Sequence, residues 1–268
     1  MLLQEKKEEK GLKEQQEQQQ QQLQYKEMRQ EEKNTKNANI DDNKTNNGST
    51  LIKRGAEADI YLTSWYGKIA ISKIRTPKPY RHEGLDKQIR KQRTIHEAKM
   101  ISSAKLAGVL SPFVYFVDPL NAEIIMEYVK GNIVKDVMAS YLCNKMGVYT
   151  ALLHKNNIIH GDLTTSNFIA SIKRKKDNNG TQKTMSATTI IPVLLDFGLS
   201  YYSTRIEDRA VDIRLIKQVF SSAHILIYDD AYDSFIKGYS EVAGEKKTIK
   251  ILENVAEIEQ RGRYARVI

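Results

Sequence analysis

The chain has 268 residues and a formal net charge of +9; residues 1–50 hold nine Lys/Arg against ten Asp/Glu, so residues 51–268 carry the basic excess, 33 against 23. A single cysteine, Cys143, excludes an intrachain disulfide and a cysteine-based zinc site, and no apolar run approaches the roughly 18 residues that span a bilayer. A reducing, cytoplasmic setting is the expectation, and the basic balance admits an acidic partner such as a nucleotide or RNA.

The opening MLLQEKKEEK has only two leucines before charges begin, which is not the pattern of a signal peptide. Residues 1–50 are low in apolar content and almost pure glutamine from Gln15 to Gln24. Such a leader cannot offset the entropy of ordering and is expected to be disordered. A folded domain is expected over residues 51–268, as a first lobe to about residue 128 and a second from about residue 129.

Short strands are expected at 51–54 and 58–63 around Gly55, and at Lys68–Ile74. Apolar spacing at Leu85, Ile89, Met100, Ile101 and Ala104 predicts a helix from Leu85 to Leu106, between Gly84 and Gly108. Strands follow at Phe113–Val117 and Ile124–Val129, then a helix from Asp136 to His154 with apolar positions Val137, Tyr141, Val148 and Leu152. Strands at Asn167–Ile172 and Val193–Leu195 precede helices near 208–223, 229–239 and 247–259. Strands with one long helix, then mainly helices, make an α+β fold with a β-rich lobe before a helical one.

The stretch IIHGDLTTSNFIA, residues 158–170, has the frame of a phosphotransfer loop: His160, Asp162 two positions on, and Asn167 five further. Phosphoryl transfer needs a group to orient the attacking hydroxyl, oxygen ligands for magnesium, and a cation on the phosphates. Asp162 suits the first role and Asn167 a metal site. VLLDFGLS supplies a second metal ligand, Asp196, after an apolar strand, with Gly198 for the turn. Lys73, near the end of its strand, is the candidate phosphate cation, and Glu97 in the following helix is its candidate partner. In EIIMEYVKG, the backbones of Glu127 and Val129 are placed to meet adenine, with Met126 behind it. The candidate phosphate loop, Gly55, Ala56 and Glu57, is poor in glycine and carries a carboxylate, both unusual beside phosphates. Each piece alone also reads as an ordinary strand end or solvated charge; their order along the chain favours the joint reading.

GAEADIY, KIRTPKPYRHEGLDKQIRKQRTIHE, HGDLTTSNF, DFGLS and EDRAVDIRLIKQVF together resemble the small atypical kinase/ATPase subunit of the KEOPS (EKC) complex, close to the RIO kinases. The resemblance covers residues 51 to 268. It implies a trimmed bilobal protein-kinase-like fold, ATP and Mg²⁺ as cofactors, modest Ser/Thr kinase activity and ATP hydrolysis. It also implies partnership with a threonylcarbamoyl-transferase subunit, other KEOPS-like proteins and tRNA. By the same resemblance His160 and Asp212 support the catalytic loop, and the tail arginines Arg261, Arg263 and Arg266 contact tRNA, although RGRYARVI ends in apolar residues.

Two departures stand out. The 28 residues between Asn167 and Asp196 include KRKKDNNGTQKTMSATT, which reads as a lengthened hairpin with NNG at its tip. Gly161 stands where protein kinases usually place the arginine that grips an activation-loop phosphate, and only 70 residues follow Gly198, with no long activation loop. A kinase gated by a partner or tRNA, rather than by phosphorylation, is the expectation. The competing readings are a small-molecule phosphotransferase of the aminoglycoside or choline kinase type, for which the C-terminal part is short, and a non-catalytic RNA-binding scaffold.

Overall fold

Alternating side chains over Thr50 to Arg75 favour strands joined by tight turns. In the computed structural model, which describes residues 49–174 and 188–264, these are β1 (Thr50–Arg54), β2 (Ala58–Trp65) and β3 (Lys68–Arg75). With β4 (Val114–Asp118) and β5 (Glu123–Glu127) they form a five-stranded sheet in the order β1-β2-β3-β5-β4. Inserting β5 beside β3 sets Lys73 opposite Ile124 and Ala70 opposite Glu127, all antiparallel. The lysine strand and the segment leaving the lobe are therefore neighbours.

Helix α1 (Glu83–Leu106) covers this sheet. Ala98, Ile124 and Met126 form a buried cluster, with Ile71, Val114 and Val117 packed against it. The start of the helix departs from the expected apolar stripe, because Leu85 is 53% exposed while Asp86 is buried. Asp86 accepts from Arg90 Nε at 2.7 Å and from the Lys78 N–H at 3.3 Å, with Arg81 3.6 Å away. The hydrogen bond from Arg90, aided by the Lys78 N–H, holds this carboxyl below the usual range despite the opposing effect of desolvation. Polar contacts, not apolar ones, fasten the KPYR segment to the helix.

The second lobe begins with β6 (Gly131–Ile133), a strand without apolar alternation to announce it, which pairs with β8 (Phe168–Arg174). The helix expected from Asp136 starts instead at Ser140, as α2 (Ser140–Lys155). Val134 is fully buried in a 3-10 turn spanning Val134–Asp136, and Ala139 is extended at φ −145°, ψ 149°. Burying Val134 takes the chain out of helical geometry. The buried face of α2 also differs from the expected one: it centres on Leu142, Met146, Tyr149 and Leu153, while Tyr141, Val148 and Leu152 are half-buried. A helix enclosed on nearly every side has no single stripe for periodicity to find.

Helices α3 (Ile206–Ala223), α4 (Tyr228–Ala243) and α5 (Glu245–Tyr264) complete the lobe. Phe220 and Phe235 meet edge to face at 6.0 Å between α3 and α4. Where α2 crosses α4, a Cβ on Gly147 or Gly238 would stand 1.9 or 2.0 Å from the facing carbonyl oxygen, so the two backbones touch. β8 pairs with β9 (Thr188–Leu194) from Phe168↔Leu194 out to Arg174↔Thr188. The rest of the insert, its NNG tip included, lies outside the described residues, as do the Gln-rich leader and Arg266. β7 (Ile158–Ile159) pairs with β10 (Tyr201–Tyr202). The sheet-then-helices order is the expected α+β, two-lobed kinase-like architecture. Among the described residues no helix is long and apolar enough to cross a membrane.

Candidate active site

β3, α1 and the turn after β9 bring together three charges that are distant in sequence. Lys73 Nζ lies 2.6 Å from Glu97 Oε1 and 2.8 Å from Asp196 Oδ1. Burial works against the lysine charge, but the pull of Glu97 and Asp196 and its bonds to both outweigh this and hold its pKa above the ordinary value. Asp196 is likewise opposed by burial, yet Lys73 and the Gly198 N–H keep its pKa below the ordinary carboxylate value. Asp196 itself sits at φ +52°, a left-handed conformation uncommon outside glycine. Such local strain persists only where the surroundings hold it.

The catalytic-loop candidates are fixed from behind. Asp212, fully buried, accepts the His160 N–H at 2.7 Å on Oδ2 and the Gly161 N–H at 2.9 Å on Oδ1. His160, also buried, lies with Nε2 3.1 Å from the Leu195 carbonyl oxygen and accepts the Asp162 N–H on Nδ1 at 3.3 Å. Its ring meets Phe197 edge to face at 5.0 Å. With Nδ1 accepting, Nε2 donates to the Leu195 carbonyl, and the ring ties the loop to the strand before Asp196. Asn167 Nδ2 donates to both the carbonyl oxygen and the carboxylate of Asp162 at 2.9 Å. The Leu195 N–H donates to the Asn167 carbonyl at 2.8 Å. The hairpin thus returns the chain to Asn167 at its base, so its added length leaves the spacing of Asn167 and Asp196 untouched.

The phosphate-loop candidates lie between β1 and β2, where the Gly55 N–H donates to the Ala58 carbonyl at 3.0 Å. Glu57 accepts from Arg93 Nη1 of α1 at 2.7 Å, and Lys78 Nζ donates to the Ala56 carbonyl. The unexpected carboxylate has a partner on the helix, and the loop is tethered at two successive residues. Glu127 clamps Phe113: its N–H donates to the Phe113 carbonyl at 2.8 Å and its carboxylate accepts the Phe113 N–H at 3.0 Å. The Glu127 N–H is therefore occupied, which leaves its carbonyl and the half-buried Val129 as the groups of this segment to consider for a base. Arg261 is drawn to Glu257, at 3.2 Å, and Glu207, at 3.9 Å. Arg263 is in α5, beyond the side chains the structure describes.

Several site-building residues escaped sequence reasoning. Arg75 Nη2 contacts Glu97 Oε2 at 2.5 Å from a buried position. Its signal was a charge two residues beyond Lys73, on the same face of β3. His154 Nε2 lies 3.2 Å from Asp212 Oδ2, and its Nδ1 is 2.8 Å from the Tyr239 hydroxyl. His96 Nε2 donates to the Ser200 carbonyl at 2.7 Å, joining α1 to the segment after Asp196. These pairs are separated by 58 to 104 residues. No local pattern announces them. Ser200 is buried with its hydroxyl on the His160 carbonyl, and Ser203 donates to Asp208 at 2.6 Å.

The chain is 37% identical over 227 residues to the KEOPS complex subunit Bud32 of Pyrococcus abyssi, covering 80% of this chain and 96% of that one. This chain belongs to the Bud32 family. It is also 40% identical over 214 residues to a probable bifunctional tRNA threonylcarbamoyladenosine biosynthesis protein of Methanobrevibacter smithii, and 38% identical over 216 residues to one of Methanocaldococcus jannaschii. It covers 80% of itself in both matches but only 36% and 37% of those relatives, so it corresponds to one part of them. Among solved structures, the Rio2 kinase–ADP/Mg²⁺–phosphoaspartate complex of Chaetomium thermophilum superposes with a TM-score of 0.54 at 20% identity, covering 79% of this chain and 70% of that one. That likeness establishes the kinase fold for this Bud32-family chain. No protein-family model matches it.

Proposed function

We infer that this Bud32-family protein is an ATP- and magnesium-dependent phosphotransferase with ATPase activity, a Ser/Thr kinase by class, that supports formation of threonylcarbamoyladenosine in tRNA. The observation that carries the reading is Lys73 bridging Glu97 and Asp196, in one site with the Asp162–Asn167 pair. The donor set suits magnesium. Asn167 turns its amide nitrogen to Asp162, leaving the amide oxygen, while Asp196 uses Oδ1 for Lys73 and Gly198, leaving Oδ2. Magnesium favours such hard oxygens and commonly takes its remaining ligands from phosphates and water. Accordingly, no cluster of three metal-binding side chains is required, and none occurs among the described residues.

Magnesium-ATP, when bound, supplies the transferable phosphoryl group. Lys73 holds the phosphates, Glu97 orients Lys73, and Asn167 with Asp196 holds the metal. Asp162 orients the attacking hydroxyl, of a serine or of water, and accepts its proton. Gly55, Ala56 and Glu57 cover the phosphates, and the Glu127 carbonyl and Val129 backbone meet adenine. The kinase unit is residues 51–268, with lobes meeting near residue 128, and its setting is the cytoplasm. Its partners are a threonylcarbamoyl-transferase subunit, other KEOPS-like proteins and tRNA. Gating comes from those partners, since Gly161 cannot grip a phosphate and the hydroxyls of Ser200 and Ser203 are already engaged.

ATP hydrolysis measured with and without partner proteins and tRNA, beside Asp162→Ala, tests this. The expected result is Mg²⁺-dependent hydrolysis that rises with the partners and is lost in the variant. Hydrolysis unchanged by Asp162→Ala would remove the enzyme assignment, and preferential turnover of an aminoglycoside or choline would move it to another class.

A further inference from the structure

Glu97 is held by two cations, and only one of them has a place in the reaction described above. Lys73 and Arg75 are two residues apart on β3, so both side chains leave the same face of the sheet toward α1. Each takes one oxygen of Glu97: Lys73 Nζ on Oε1 at 2.6 Å, Arg75 Nη2 on Oε2 at 2.5 Å. All three are buried, at 8%, 5% and 1% exposure. The lysine divides its ammonium between Glu97 and Asp196, whereas among the described residues the only carboxylate bonded to the guanidinium is Glu97. The arginine also lies beside the turn that carries Asp196. A Cβ on Gly198 would stand 3.3 Å from Arg75 Nη2 and 3.1 Å from Asp196 Oδ1. Among the described residues no side chain or backbone group accepts from Arg75 Nε, which is buried.

We propose that Arg75 is a positioning residue that keeps Glu97 and its helix in the productive place while Lys73 turns its ammonium toward nucleotide phosphates. This rests on the phosphotransfer reading. A buried carboxylate left with no cation is strongly unfavourable. If Lys73 were the sole partner of Glu97, every shift of the lysine toward phosphate would expose Glu97 to that penalty and loosen α1. With Arg75 on the second oxygen, Glu97 stays compensated and Lys73 is free to move between anions. The same contact accounts for a helix that needs no phosphorylated loop to draw it in. His96 on the Ser200 carbonyl and the Tyr202 hydroxyl on Ser103, at 2.7 and 2.8 Å, fasten the same helix further along.

The test is a double-mutant cycle between Arg75→Met and Glu97→Gln, with Arg75→Lys as the conservative variant. Magnesium-ATP binding is read by calorimetry, ATP turnover by kcat and KM, and opening of α1 by hydrogen exchange of the amides around Glu97. Arg75→Met is expected to lower kcat about tenfold or more, with a smaller change in KM, and to speed exchange around Glu97 in the nucleotide-bound protein. Arg75→Lys should recover part of the loss, and in the Glu97→Gln background Arg75→Met should add little. Wild-type kcat and exchange in Arg75→Met, or equal losses with and without Glu97, would overturn the proposal. Should Arg75→Met not fold, the cycle is run with Arg75→Gln, and the same two outcomes decide. Exchange around Glu97 with magnesium-ATP bound needs no turnover, so an inactive wild type would overturn the phosphotransfer reading while this measurement still judged Arg75.

Discussion

The carbonyl oxygen of Leu199 lies 2.5 Å from where a Cβ on Gly161 would be, and Gly161 itself has φ +79°. The residue before Asp162 is thus a glycine for steric reasons. Any side chain there would meet the backbone after the Asp196 turn and adopt a left-handed conformation. Gly161→Ala should therefore destabilise the protein by about 2 kcal/mol or more. Thermal melting checks the stability, and ATP turnover should fall with it because the Asp212 bond to the Gly161 N–H is disturbed.

Asp212 braces two successive N–H groups and touches His154, so it is expected to act on turnover from behind the site. Asp212→Asn turns one acceptor oxygen into a donor facing an N–H, at a buried position. A loss of about 3 kcal/mol in stability is expected, with kcat reduced more than the affinity for ATP. Tyr239→Phe removes only the hydroxyl contact to His154 and should cost about 1 kcal/mol. Denaturant unfolding of both variants checks the order.

The bridge between Lys73 and Asp196 sets a pH window. Asp196 has a folded pKa below its ordinary 3.8, so its contribution is present above that value and lost as pH falls through the lower folded value. Lys73 has a folded pKa above its ordinary 10.5, so its contribution is present below 10.5 and lost as pH rises through the higher folded value. The difference in melting temperature between the wild type and Asp196→Asn should stay level between about pH 5 and 9 and shrink below about pH 4. A difference that grew on acidification would contradict this pairing.

Glu57 and Arg93 form a partly exposed ion pair, so neither Glu57→Ala nor Arg93→Ala should shift stability by more than about 1 kcal/mol. Their effect is expected in the phosphate loop. Arg93→Ala releases the Glu57 carboxylate beside the proposed phosphate site and should weaken ATP binding by about fivefold, on the order of 1 kcal/mol. Adding Glu57→Ala should restore it. A double variant no better than Arg93→Ala would assign Arg93 to the phosphates directly.

The motif residues were legible because each lies in a short run whose neighbours announce it: Asp162 and Asn167 in HGDLTTSN, Asp196 in DFG, Lys73 near the end of an alternating strand. Strand and helix positions followed for the same local reason, with boundaries missed by a few residues where tertiary contacts intervened. The exposed Leu85 and buried Asp86 show where that reasoning stops. An apolar residue at the right spacing is core only if the fold covers it, and here the fold covers Asp86 instead, which Arg81, Arg90 and the Lys78 N–H meet.

The sequence by itself determined the chemical inventory, its order and the two-lobed α+β plan, since these depend on residue type and local periodicity. Tertiary structure decided which charges share a carboxylate. It paired Arg75 with Glu97 across 22 residues, His154 with Asp212 across 58, and Glu57 with Arg93 across 36. It also made the long hairpin harmless, because antiparallel pairing returns Leu194 to Phe168 whatever the length beyond. Electrostatic and hydrogen-bond partners are chosen by distance in space, and burial sets their strength; neither quantity is written in the spacing along the chain.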